Sequence, residues 1–116
     1  MTGQDTFPAH DTWREVIALL VEAADRGYRQ AATTPALHST ALWAHSIAAA
    51  ATGLLPPELD HLLDDVVLGA QTTGLDMVGL IQVAETATRR HPIEQFPPGA
   101  TGVVIALCDL VREARA

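Results

Sequence analysis

The sequence predicts an all-α fold, a single compact bundle of about five helices. Apolar residues recur at spacings of three and four, and no useful stretch alternates polar with apolar residues as a strand does. Hydrophobic residues make up 48% of the 116 residues and aromatic residues only 4%. The core must therefore be built from small aliphatic side chains, which favours closely packed helices. A chain of this length can bury such a core in one domain.

The first predicted helix begins at Thr12, after a non-periodic segment that we expect to be a flexible tail. Thr12 and Glu15 have the spacing of a capping box, in which each side chain bonds the other residue's backbone amide. The predicted core face carries Trp13, Ile17, Leu20, Ala24 and Tyr28. We therefore divide the chain into an N-terminal tail at 1–11 and a single helical domain at 12–116.

The second predicted helix lies in a stretch, 30–57, that contains no Lys, Arg, Asp or Glu. Thr34 as N-cap, Pro35 in the first position and Gly53 beyond the last turn define its bounds. A projection at 100° per residue places mostly small residues on one narrow face: Leu37, Ala41, Ala44, Ala48 and Ala51. A helix without a charged face must be covered either by its own domain or by a partner.

Three further helices complete the predicted bundle, at 56–74, 76–92 and 100–116. Asp76 is the predicted N-cap of the fourth helix, and Pro92 ends it. Its predicted inward residues are Met77, Leu80, Ile81, Ala84 and Ala87, and those of the fifth helix are Val103, Leu107, Leu110 and Ala114. The longest non-periodic connection precedes the fifth helix, and we expect Phe96 to plug the core beneath it.

Composition and charge exclude several function classes. A net charge of −7 repels phosphate backbones, and the seven basic residues form no cluster along the chain, so no nucleic-acid partner is expected. His and Ser residues interrupt the uncharged stretch and much of the rest is Ala, which argues against a membrane span. The absence of an export signal and the single cysteine favour the cytoplasm. Abundant Ala, Thr and Arg are typical of a GC-rich coding sequence, which favours a bacterial or phage source.

The sequence predicts no catalytic residue, no metal site and no cofactor. Cys108 lies in a regular helical stretch without the glycine-flanked turn that a nucleophile needs. His38 and His45 lie two turns apart on one helix flank, roughly 10 Å along the axis, which is too far for both to ligate one ion. An enzyme is therefore the less favoured class.

The predicted function is a non-enzymatic protein-interaction or oligomerisation module that forms a homodimer, in a small regulatory or adaptor protein. The predicted contacts on the second helix are Leu42, Trp43, His45 and Ala49, because an aromatic anchor beside small residues is typical of interface cores. Apolar residues outside the predicted core faces add surface to be covered: Leu19, Leu68, Val78 and Ile105.

Two alternatives stay open at this point. The second helix can be the central helix of the bundle, surrounded by the others. The chain can also be a small-molecule-binding domain, or an enzyme, that holds a small apolar ligand near Trp43. That pocket would be lined by Tyr28, His38, Trp43 and Phe96, with the histidine as its polar group.

Overall fold

The computed structural model describes residues 2–55 and 72–115, with side chains from Ala9 onward. Its α-helices are α1 (Thr2–Gln30), α2 (Leu37–Thr52), α3 (Met77–Ala87) and α4 (Ala100–Arg115), and Ile93–Gln95 forms one turn of 3₁₀ helix. All regular elements in these two ranges are helical, which confirms the all-α class. Four α-helices lie in the described ranges, against about five predicted for the chain. The predicted third helix falls mostly on 56–71, outside the described residues.

α1 packs against both α2 and α3, and α4 packs against the same two helices. The buried residues of α1 cover an arc of roughly 160° when plotted at 100° per residue. This arc includes the predicted Trp13 and Leu20 and also Val16 and Leu19, all of which are fully buried. The prediction that Leu19 lies outside the core is therefore wrong, because a helix between two neighbours buries a wider arc than a surface helix does.

The predicted start of the first helix is also wrong, since α1 begins at Thr2 rather than Thr12. Residues 2–11, predicted as a flexible tail, form its first turns, and Ala9 is fully buried. Thr12 lies inside the helix, where a 3.0 Å hydrogen bond joins its hydroxyl to His91 Nε2. Glu15 pairs with Arg90 at 2.7 Å instead of closing a capping box. Tail flexibility and the single-domain division stay predictions.

The end of α2 follows the prediction more closely than its start. Leu37 is the first helical residue, and Ala36 is the N-cap with no side-chain bond, so Thr34 does not cap the helix. Gly53 is the C-cap, as predicted, and its amide donates to the Ala49 carbonyl at 3.1 Å. The alanine face is confirmed as core: Ala41, Ala44, Ala48 and Ala51 are buried.

Gly27 lies where α1, α2 and α3 meet. A Cβ atom at this position would overlap Met77 Sδ and would lie 2.8 Å from the Cβ of Ala41. The missing side chain therefore allows the three helices to approach closely. One residue earlier, Arg26 donates a 2.9 Å hydrogen bond to the Thr72 carbonyl and a second bond to the Leu75 carbonyl, which ties the chain before α3 to α1.

α3 and α4 match most of their predicted features. Asp76 caps α3, accepting a 2.9 Å hydrogen bond from the Gly79 amide, and all five predicted inward residues are buried. α3 ends at Ala87 rather than at Pro92, with Thr88 as C-cap. The predicted plug is confirmed, since Phe96 is buried against Trp13 with 5.3 Å between ring centroids. In α4, Val103, Leu107 and Leu110 are buried and Ala114 is partly buried.

Candidate protein-interaction surface on α2 and α4

One side of α2 faces solvent in the described structure. Leu42 is 52% exposed, and His45 and Ala49 are also exposed. Trp43 is half-buried and packs against the edge of the core. The four predicted contact residues therefore lie on the outer part of α2, and α2 is not the surrounded central helix that one alternative described.

A groove of about 380 Å³ runs between α2 and α4 next to these residues. The end of α2 lies beside the start of α4. A Cβ atom built on Gly99, just before α4, would lie 3.0 Å from the side chain of Leu54, just after α2. The groove is lined by Trp43, Ser46, Ile47, Ala50, Leu54, Gly99, Gly102, Val103 and Ala106. α2 contributes residues at i, i+3, i+4 and i+7, the spacing of one helix face.

The groove joins two uncharged stretches that are far apart in the sequence. Residues 30–55 and 95–108 contain no Lys, Arg, Asp or Glu, and all groove residues belong to them. The hydroxyl of Ser46, the polar side chain of the lining, donates to the Leu42 carbonyl at 3.0 Å. The groove and its rim therefore form a surface that water solvates poorly. We call it the α2–α4 face, comprising the groove residues with Leu42, Ala49 and Ile105.

The α4 side of this face contains two glycines with different roles. Gly99 has a positive φ of 92°, a backbone conformation that favours glycine. Gly102 needs no such conformation, and a Cβ atom built on it would meet nothing within 4 Å. Ile105 lies one turn further on and is 57% exposed, which confirms that it lies outside the core. The backbone at Gly102 thus borders open space beside an exposed apolar side chain.

The residues of the predicted ligand pocket do not come together. The rings of Tyr28 and His38 contact each other, with 5.4 Å between centroids, near the junction of α1 and α2. Trp43 lies in the groove. Phe96 lies in the core, between Trp13 and the edge of His91. The apolar groove beside Trp43 exists, but only one of the four predicted residues lines it.

Basic residues that are scattered in the sequence meet between α3 and α4. Arg89, Arg112 and Arg115 line a cavity of about 230 Å³ together with Glu85 and Cys108. The basic residues therefore form no cluster along the sequence, but these three lie together in the fold. Arg89 pairs with Glu85, and Arg112 pairs with Asp109 at 2.9 Å, so both guanidinium groups already have carboxylate partners.

The thiol of Cys108 lacks the properties of a nucleophile. Burial raises its pKa, and the Glu85 carboxylate raises it further through its charge and through a hydrogen bond that the thiol donates at 3.7 Å. Because the thiolate is the reactive form, this environment lowers the reactivity of Cys108 at neutral pH. In the described part of the chain, no group of three or more His, Cys, Asp and Glu side chains is arranged to hold a metal ion.

Comparisons of the chain with protein-family models, curated proteins and solved structures found no match. None of the helices within 2–55 and 72–115 is both long enough and apolar enough to cross a membrane. Among the grooves described here, the one between α2 and α4 has a lining without charged residues.

Proposed function

We propose that the protein is a non-enzymatic interaction module that forms a homodimer through the α2–α4 face, as a small regulatory or adaptor protein. The observation that supports this most directly is the meeting of two uncharged stretches around an apolar groove with exposed Leu42 and Ile105 on its rim. The proposal keeps the cytoplasmic setting and the bacterial or phage source that the sequence favours.

The composition of the α2–α4 face is that of an interface core. Such cores are depleted in charged residues and enriched in aromatic anchors, and Trp43 supplies the aromatic ring here. Burial of apolar surface contributes about 25 cal/mol per Å². Since the groove lining has no charged side chain, association there leaves no buried charge uncompensated.

The lack of charge on the α2–α4 face favours an apolar partner surface, such as the same face of a second copy, over a basic one. Two copies that each carry a net charge of −7 repel each other wherever their carboxylates approach. The α2–α4 face has no carboxylate, so two copies can meet there with the least repulsion. A basic partner would find no acidic group on this face to pair with.

The test is the mass of the native protein in solution. A homodimer has twice the chain mass of 12.3 kDa. We expect Leu42→Glu to convert the dimer to a monomer with unchanged helix content, because it places a carboxylate on an apolar part of the contact. Trp43→Ala should also weaken the dimer, but Trp43 packs on the core, so Leu42 is the cleaner probe.

Val21→Glu is the matched control. Val21 is 42% exposed on the side of α1 that carries the charged residues, away from the α2–α4 face. The control variant should stay dimeric. A wild-type protein that is monomeric at every concentration, or a Val21→Glu variant that dissociates as readily as Leu42→Glu, would contradict the proposal.

A second candidate function is the binding of a small apolar ligand in the groove. The volume of about 380 Å³ falls in the range of ligand pockets, and Trp43 forms part of the wall. The indole of Trp43 can be observed alone in a Trp13→Phe variant. Saturable one-to-one quenching by a medium-chain alcohol, with the protein remaining a monomer, would favour this function over the dimer.

A further inference from the structure

We propose that the cavity between α3 and α4 binds a phosphate group, either as inorganic phosphate or as the end of a phosphate monoester. Arg89, Arg112 and Arg115 line this cavity and would hold the phosphate oxygens through charge-assisted hydrogen bonds. The site is independent of the proposed dimer, because no residue of its lining belongs to the α2–α4 face.

Arginines gather at this cavity in a chain that has few basic residues. The chain has seven Lys and Arg against 14 Asp and Glu, yet three of the seven line one cavity of about 230 Å³. The negative end of a helix stabilises a basic residue nearby, which explains why arginines occur close to the ends of α3 and α4. It does not require their side chains to lie around the same cavity, where like charges repel one another. A bound anion offsets that repulsion.

The neighbouring carboxylates do not use all the donors of these arginines. Arg89 donates through Nε, at 2.9 Å, and through Nη2 to the same oxygen of Glu85. Arg112 donates through Nη2 to Asp109 at 2.9 Å. A guanidinium group has five N–H donors, so both keep donors that a ligand can use. Arg115 pairs with no carboxylate among the described residues. Two carboxylates thus face three guanidinium groups, and one positive charge stays uncompensated.

The number of guanidinium groups and the size of the cavity favour a phosphate. A planar guanidinium group fits two oxygens of one anion, and a phosphate has enough oxygens to bond several such groups, whereas a carboxylate has only two. The cavity is smaller than the typical ligand pocket of about 300–1,000 Å³, so it suits a small group rather than a whole cofactor. The Glu85 side chain is only 12% exposed and holds Arg89 in place before the anion binds.

Cys108, the single cysteine of the chain, reports on the cavity because it is part of the lining. Burial and Glu85 raise the pKa of its thiol, and the charges of Arg89 and Arg112 oppose that rise. A phosphate bound to these arginines offsets their charge, raises the thiol pKa further and lowers the thiolate fraction. We therefore expect inorganic phosphate to slow the alkylation of Cys108 by iodoacetamide saturably, at constant pH and ionic strength.

Arg115→Gln tests the site without breaking an ion pair of the described chain. Loss of this guanidinium group should raise the dissociation constant for inorganic phosphate about five-fold, the effect expected for an exposed charge contact. Arg29→Gln on α1 is the matched control, because Arg29 is also exposed and its substitution removes the same charge. The control should leave the constant unchanged within about two-fold, since a distant exposed charge is screened. Amide shifts in an NMR titration measure the constant independently of the thiol.

A parallel titration with phenyl phosphate distinguishes the two sources of the phosphate group. Binding of phenyl phosphate assigns the end of a monoester, and binding of inorganic phosphate alone assigns the free ion. The absence of a saturable response to either compound would overturn the proposal. Equal weakening by Arg115→Gln and Arg29→Gln would overturn it as well, because the attraction would then come from the net charge of the chain and not from this cavity.

Discussion

α1 and α2 pack against each other, but they differ in how charge relates to the burial of their apolar side chains. α1 carries charged side chains from its first turns to Arg29, yet Trp13 and Leu20 on its apolar arc are fully buried. α2 carries no charge on any face, yet Leu42 is more exposed than buried. The charged helix therefore buries its large apolar side chains, whereas the uncharged helix leaves one of its own exposed.

The difference has a geometric cause. From Asp11 onward, the charges of α1 are confined to one sector, which leaves a wide arc for contact with both α2 and α3. α2 contacts α1 through its alanine face and α4 through its groove residues, and its remaining surface has no neighbour among the described residues. Burial therefore depends on where the apolar residues lie around the helix, and not on the absence of charge from its sequence.

The two tryptophans give the largest expected contrast. Trp13→Ala removes a fully buried side chain and should lower the free energy of unfolding by about 3–5 kcal/mol. Trp43→Ala should cost less than half as much in the monomer, because Trp43 is half-buried. Urea unfolding followed by circular dichroism measures both, and equal losses would remove the distinction between the two helices.

A third variant separates the ring of Trp13 from its hydrogen bond. The indole N–H donates to the Ala51 carbonyl at 3.0 Å and so links α1 to the last turn of α2. Trp13→Phe keeps most of the ring packing and should cost about 0.5–1.5 kcal/mol for the lost hydrogen bond, since the Ala51 carbonyl still accepts from the Leu54 amide at 3.2 Å. Urea unfolding beside wild type measures this cost.

A leucine on α1 and a leucine on α2 allow the two helices to be compared through apolar packing alone. Leu20→Ala on α1 creates a cavity at a fully buried position and should cost about 2–5 kcal/mol. Leu42→Ala on α2 should change the stability of the monomer by no more than about 0.5 kcal/mol, since the side chain is 52% exposed. Denaturation below the dimer dissociation constant is the appropriate measurement. A large loss from Leu42→Ala there would show that the outer side of α2 is covered within one chain.

A polar side chain on α1 and one on α2 are also expected to differ in their contribution to stability. Arg26 of α1 donates to the carbonyls of Thr72 and Leu75, so Arg26→Gln should cost about 1–3 kcal/mol. Ser46 of α2 bonds only within its own helix, to Leu42, and Ser46→Ala should leave the free energy of unfolding unchanged within about 0.5 kcal/mol. Thermal unfolding of both variants checks the difference, and it would be contradicted by a Ser46→Ala loss equal to that of Arg26→Gln.

Two of the helical glycines, Gly27 and Gly102, give expected changes of opposite sign. Gly27→Ala forces a methyl group against Met77 and Ala41 and should destabilise the protein by about 1–3 kcal/mol. Gly102→Ala meets no atom and improves helix propensity, so the monomer should gain up to about 1 kcal/mol. Chemical denaturation of the two variants side by side tests the signs. A loss at Gly102 would mean that this position is packed within the chain.

Several features of the fold and of the candidate surface follow from local sequence patterns. The N-cap Asp76, the C-cap Gly53 and the plug Phe96 all depend on residues within one turn or one connection. The alanine face of α2 follows from helical periodicity, and so does the placement of Leu42 away from that face.

The errors occur where a local pattern competed with a tertiary contact. Thr12 and Glu15 have the spacing of a capping box, but in the structure they contact His91 and Arg90 from the middle of α1. Leu19 lies outside a single-stripe pattern and is buried because α1 has two neighbours. The sequence contains no signal for either long-range contact.

The sequence by itself determined that the chain is helical and that residues 30–55 and 95–108 are free of charge, since helical periodicity and composition are local properties. Only the tertiary structure decided that these two stretches lie side by side around one groove, and that Leu42 on α2 is left exposed while the apolar arc of α1 is buried. The physical reason is that helix pairing depends on contacts between residues far apart in the chain, which the i, i+3 and i+4 pattern of a single helix does not specify.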